Sequence, residues 1–184
     1  MDLPLNKKTA SRLEVGMPVE LTGTIITARD RAHKFLLGDG VPAELKRLLK
    51  GSLIYHCGPV VRRKGKSYSV LSAGPTTSAR FGMYAKALAK RHGIAAFMGK
   101  GGMQNTGVPY LSAIGGTGAL LAQHITKVRA VYKLREFGMA DAIWVFEVSM
   151  FPAIVTIDSG GKSLHERVIK GSKKMYKEAM PDGC

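Results

Sequence analysis

Short apolar runs that read as strands alternate with amphipathic runs that read as helices along most of this chain, with glycine or proline between them. Alternation of this kind, without an internal repeat, a low-complexity tract or a linker, puts strands and helices into shared layers. The expectation is α/β: one domain over 1–184 with a mixed sheet, a short polar lead-in over about 1–16 and a basic C-terminal helix over about 163–180. A chain of 184 residues, 45% hydrophobic and 22% charged, can bury a substantial core, which argues against disorder. No apolar run approaches the roughly 18–20 residues that span a bilayer, and the N-terminus lacks the apolar stretch of a secretory signal. Two cysteines, Cys57 and Cys184, make neither a disulfide framework nor a metal cluster. The expectation is a soluble cytoplasmic protein with no membrane contact.

Pro18–Ile26 alternates as a strand and runs into the polar Thr27–Lys34, a strand end turning into a helix. Pro42–Leu49 is a short amphipathic helix, and Leu53–Cys57 and Ser67–Leu71 are strands, the latter after a basic turn at Arg62–Lys66. A helix is expected from about Ser78 to Arg91, stopped by Gly93. Ile94–Met98 is a strand that delivers Gly99-Lys100-Gly101-Gly102, and Ile114–Gly118 is a turn before a helical Ala119–His124. Val128–Tyr132, Ala142–Val148 and Ala153–Ile157 read as strands, with a break at Pro152, and Ser163 caps the last helix.

Charge is distributed unevenly. Residues 1–100 hold 18 Lys+Arg against 6 Asp+Glu, residues 101–160 hold 4 of each, and residues 161–184 hold 6 against 3, within a total of +15. Such an excess suits nucleic acid, an anionic substrate, an acidic partner or merely a solvated surface. The basic runs Arg62–Lys66 and Lys170–Lys174 lack interleaved aromatic residues, which are 7% of the chain, so a nucleic-acid-binding module is the less favoured class.

Lys100 does not belong to a phosphate loop. Position 94 is Ile where that motif needs Gly, and position 101 is Gly where it needs Ser or Thr. What remains is a lysine on a strand-end loop, functional or simply solvated. Gly74-Pro75-Thr76-Thr77-Ser78-Ala79-Arg80 is more telling: a sharp turn, then three hydroxyl residues opening a helix, one of which serves as N-cap. Once the chain is helical, Thr76 and Arg80 share a face, and a hydroxyl and a guanidinium at a helix N-terminus suit a carboxylate. His33, three residues after Asp30, could be oriented by that carboxylate, although a lone histidine is more often structural. Arg29, Thr76, Arg80 and Lys100 could then meet at one sheet edge, where α/β folds place ligands. No Cys, His, Asp and Glu cluster has metal-ligand spacing.

From about Pro18 to His165 the chain resembles the β subunit of the two-subunit class I (iron–sulfur) fumarate hydratases and L-tartrate dehydratases. The resemblance is carried by Arg29–Lys34, Gly74–Arg80, Lys100–Gly102, Gly107–Leu111 leading to Gly115-Gly116, Ile143–Val148, and Phe151–Val155 with Ile157–Ser159. It implies a swivelling β/β/α domain similar to the mobile domain of aconitase, and reversible dehydration of a hydroxy-dicarboxylate. It further implies a 4Fe-4S cluster bound by a partner α subunit rather than by this chain, and an α/β hetero-oligomer. By resemblance Thr76 matches the catalytic base, Arg29 and Arg80 match carboxylate-holding arginines, and Lys100 matches a cationic substrate contact. Asp30, His33 and Thr77 are candidate supporting residues. Ala28, where the family usually has Gly, and Phe81, where Met is common, depart from the pattern and bear on substrate preference. Fumarate hydration is the leading expectation and tartrate dehydration the nearest alternative.

Overall fold

The computed structural model describes residues 1–180. Its elements in chain order are α1 (Lys7–Ala10), β1 (Pro18–Thr27), α2 (Asp30–Leu37), α3 (Ala43–Leu49), β2 (Leu53–Tyr55), β3 (Val60–Lys64), β4 (Ser67–Ser72), α4 (Gly82–His92), β5 (Ala96–Gly99), β6 (Tyr110–Ser112), α5 (Gly118–Gln123), β7 (Ile125–Tyr132), α6 (Leu134–Phe137), β8 (Ile143–Ile157) and α7 (Leu164–Ala179). A 3-10 turn over Ala79–Phe81 leads into α4. The chain is therefore α/β with a mixed sheet, as its alternation of elements implies.

Strands β1, β2, β5 and β6 lie side by side and parallel, and β8 runs antiparallel to β6, β1 and β7. Because β8 pairs with both β6 and β1, those five strands close on one another. The side-chain alternation of the parallel strands divides the interior in two. Ile25, Leu53, Tyr55, Ala96, Met98 and Leu111 enter one core with Trp144, Phe146 and Phe151. Ile26, Ile54, Phe97 and Tyr110 enter the other, beneath Ala32 and Leu36 of α2, Leu45 and Leu49 of α3, and Ala85 and Leu88 of α4. The four-residue spacing of the α2 and α3 pairs makes the apolar stripe that holds each helix to the sheet. Gly93 ends α4 in the left-handed region at φ 67°, and its N–H donates to Ala89 O.

Four local expectations change. Strand β8 is continuous through Pro152; the irregularity falls at Met150, with φ 52°, opposite the register shift between Leu21 and Gly23. A bulge turns the strand there, and pairing resumes beyond it, with Pro152 opposite Glu20. Arg62, Arg63 and Lys64 belong to β3 rather than to a turn, facing Ser69, Tyr68 and Ser67 of β4. The lead-in is not merely polar: Leu3, Leu5, Ala10 and Leu13 are buried, and Leu3 N–H donates to Thr22 O at 2.8 Å. Finally, the helix starts at Ala79, leaving Thr76 to Ser78 outside it.

The Ser163 cap does form, its hydroxyl accepting from Glu166 N–H at 3.3 Å. No helix among the described residues is long and apolar enough to cross a membrane. Cys184 lies outside the described residues.

Candidate active site

Parallel strands deliver the residues that follow them to a common edge, and here three neighbours do so. Strand β1 ends at Thr27 and hands the chain to Arg29, β2 leads to His56 and Gly58, and β5 leads to Lys100. The segment Thr76–Ser78 is laid across these ends. Thr76 N–H donates to His56 O at 2.7 Å, Lys100 N–H donates to Thr76 O at 3.2 Å, and Ser78 N–H donates to Lys100 O at 3.0 Å. Thr76 and Arg80 are thus not two turns of one helix. The backbone of Thr76 and Thr77 is extended, with Thr77 in a parallel bridge to Lys100.

The cations reach this edge from separate elements. Arg80, exposed, pairs with Asp30 at 2.9 Å, its guanidinium carbon 4.8 Å from the centre of the Phe81 ring. Arg29 lies across Gly58, where any Cβ would overlap its side chain, and stands 3.8 Å from Asp141. Lys100 is exposed, runs past Gly115, and has no ion-pair partner among the described residues. Arg80 and Asp30 meet at the end of β1, beside Arg29; Thr76, Thr77 and Lys100 share the ladder at the end of β5; and the short segment Thr76–Arg80 connects the two groups. This edge is open, and the 840 Å³ cavity lined by Leu5, Lys50, Lys86, Ile94, Val108 and their neighbours lies at the opposite strand ends, with none of these residues in its wall.

His33 is placed differently from its sequence expectation. Asp30 is engaged by Arg80, and the His33 ring turns inward, its Nδ1–H donating to Arg29 O at 2.7 Å. It is fully buried and stacks on Phe81 at 4.6 Å with planes 2° apart. Burial lowers its pKa to about 4, with the Arg29 carbonyl and Asp30 opposing the shift, so the ring is neutral. The two departures from the resemblance find structural roles here. Phe81 is clasped between His33 and Arg80, and the Ala28 methyl is buried in the helix-side core.

Three further residues stand behind the edge: Ser78, which the sequence offers only as one of three candidate helix caps, and His56 and Tyr110, which it does not single out. Ser78 makes no side-chain cap bond. Its hydroxyl instead lies 2.7 Å from His56 Nδ1 and accepts from the Tyr110 hydroxyl at 3.0 Å. His56 ends an apolar run and Tyr110 opens another, so both read as ordinary strand residues; only the adjacent serine hinted at polar chemistry.

An iron–sulfur cluster needs thiolates. Cys57 is fully buried, and burial pushes its thiol well above the ordinary range, which holds it protonated. Among the described residues no group of three or more His, Cys, Asp or Glu could hold a metal ion. The described residues do not fit such a cluster.

The family model described as "Fumarase C-terminus" matches residues 1–168. A Methanocaldococcus jannaschii protein with the provisional name L(+)-tartrate dehydratase subunit beta is 40% identical, over 95% of this chain and 93% of that one. The L(+)-tartrate dehydratase subunit beta of Escherichia coli K12 is 33% identical, over 95% and 88%. A Geobacillus stearothermophilus protein provisionally named as a class I fumarate hydratase is 41% identical over 94% of this chain, which spans 34% of its length. This chain belongs to the fumarase C-terminus family.

Proposed function

We propose that the chain is the β subunit of a hydro-lyase that interconverts fumarate and malate, with a separate α subunit completing the site. The observation that carries this reading is that Arg29 and Lys100 follow the parallel strands β1 and β5 at one end of the sheet, with the Thr76–Arg80 segment laid across those ends. Two arginines and a lysine suit a dicarboxylate, because guanidinium forks bind carboxylates bidentately while ammonium acts as a point charge. Asp30 and Asp141 hold the arginines in the free chain, and substrate carboxylates would compete for them.

Dehydration of malate takes a proton from the carbon beside one carboxylate and expels hydroxide from the next carbon. Thr76 is the group we assign to that proton. Its hydroxyl is half-buried and makes no hydrogen bond among the described residues, so it is free to turn toward a ligand. An unperturbed threonine hydroxyl is far too weak an acid to serve as alkoxide. Lys100 and Arg80 supply the compensating positive charge, both at Thr76 and on the carbanionic carboxylate formed as the proton leaves. The helix begins three residues beyond Thr76, so the cations carry this stabilisation more than the helix terminus does.

In this reading the 4Fe-4S cluster of the family sits on the α subunit, because the donor chemistry here does not suit it. The domain is the swivelling β/β/α kind, similar to the mobile domain of aconitase, in agreement with two cores divided by the parallel strands. Tartrate is the second reading, favoured by the names of the relatives that match this chain at nearly full length. The test is anaerobic co-expression with the α subunit and a panel of fumarate, malate and L-tartrate. Turnover by the pair and none by the isolated chain is expected. Robust turnover by the isolated chain would overturn the split site.

A further inference from the structure

Behind the edge, a buried polar unit ties together elements that are far apart in sequence. His56 is fully buried, its N–H donates to Met98 O at 2.7 Å, and its carbonyl receives Thr76 N–H at 2.7 Å. Its ring Nδ1 meets Ser78 Oγ, which also receives the Tyr110 hydroxyl. Ser78 N–H in turn holds Lys100 O. The residues flanking Ser78 on the site side, Thr76 and Thr77, are thus fixed by bonds to β2, β5 and β6 together.

The unit leaves one nitrogen unpaired: His56 Nε2 is buried and makes no hydrogen bond among the described residues. Burial pushes Tyr110 up to about 12, which keeps its hydroxyl neutral and able to donate to Ser78 Oγ. His56 Nδ1 and Ser78 Oγ share one hydrogen bond, whose direction is set by the ring tautomer. Burial also keeps the His56 ring neutral by lowering its pKa well below 6.5. Space is reserved for the arrangement at Gly99, where a Cβ would overlap the Ser78 hydroxyl and stand 3.0 Å from Thr76 O.

We propose that Ser78, with Tyr110 and His56 as its hydrogen-bond partners, is a positioning residue that fixes the Thr76 backbone against Lys100. The proposal rests on the functional reading above, in which Thr76 and Lys100 act on one substrate. Ser78 itself touches no reacting atom.

The experiment uses the assembled α/β enzyme with Ser78→Ala, Tyr110→Phe and the double variant. Misplacing a reacting group by about 1 Å can lower a rate about a hundredfold. Each single variant is therefore expected to lose about tenfold to a hundredfold in kcat per assembled enzyme, with KM within about threefold of wild type. The double variant is expected to be no worse than the poorer single, because the groups act as one unit. Tyr110→Phe retains the ring, which guards against a folding failure at Ser78→Ala. Independently of activity, ¹⁵N chemical shifts of His56 in the intact chain are expected to report a single neutral tautomer in the wild type, and a tautomer mixture in Ser78→Ala. Variants within twofold of wild-type kcat, or a tautomer mixture at His56 in the wild type, would overturn the proposal. An active wild type with active variants sinks this inference alone, whereas a wild-type pair inert on every panel substrate sinks the functional reading.

Discussion

Thr77 and Lys100 face each other in a parallel bridge, closed by Lys100 N–H to Thr76 O and Ser78 N–H to Lys100 O. The bridge makes the hydroxyl segment an extra edge strand on the end of β5. The candidate base and the candidate cation therefore share one backbone ladder, and any change that pries them apart is felt at both.

Gly99→Ala is the most direct such change. The new methyl would meet the Ser78 hydroxyl and the Thr76 carbonyl, neither of which has room to retreat. Overpacking of this kind costs about 1–3 kcal/mol. Urea denaturation of the chain should show that loss, and a change under about 0.5 kcal/mol would contradict the packing described.

Thr76→Ala tests the proton-abstraction role. General-base removal typically costs about 10²–10⁴ in rate. The variant should lose kcat on that scale while its stability stays within about 0.5 kcal/mol, since its side chain holds nothing in place. Near wild-type turnover would exclude Thr76 as the base.

Arg80→Lys should raise KM about tenfold, because a bidentate fork becomes a point charge and contact with the Phe81 face is lost. Its effect on folding should be below about 1 kcal/mol, since the Asp30 pair is nearly half exposed on both sides. A large loss of stability with unchanged KM would reverse the assignment and make Arg80 structural.

Acid should weaken the fold through its buried imidazoles. His33 titrates near 6.5 when unfolded and about 4 when folded, so between those values the unfolded chain holds the extra proton. Stability then falls as pH drops through 6.5, by about 1.4 kcal/mol per unit from His33, with His56 adding in the same direction. Urea midpoints measured from pH 7 to pH 5, above most carboxylate titration, should decline steadily. A flat profile would mean that these rings are charged or exposed.

Cys57 should resist alkylation at pH 8 in the native chain and react once urea is added, because burial keeps it a thiol. Peptide mapping of Cys57 provides the readout. Rapid native labelling would return it to consideration as a ligand.

Local sequence determined much of this protein. Alternation set β1, which hands the chain to Arg29, a short apolar run set β5, which leads to Lys100, amphipathic spacing set α3, and Gly93 stopped α4, because each depends on neighbours within a turn or two. Tertiary contacts decided the rest. Thr76–Ser78 is extended rather than helical because its N–H and C=O groups are claimed by His56 and Lys100, residues about 20 positions away on either side. Strand β8 runs on through Pro152 because β1 and β6 pair with its far half, and Leu3 is buried because Thr22 binds its backbone. The bonds of Ser78 to His56 and Tyr110 span 22 and 32 positions. No periodicity reaches that far, since such contacts exist only after the parallel strands have brought their ends to one edge.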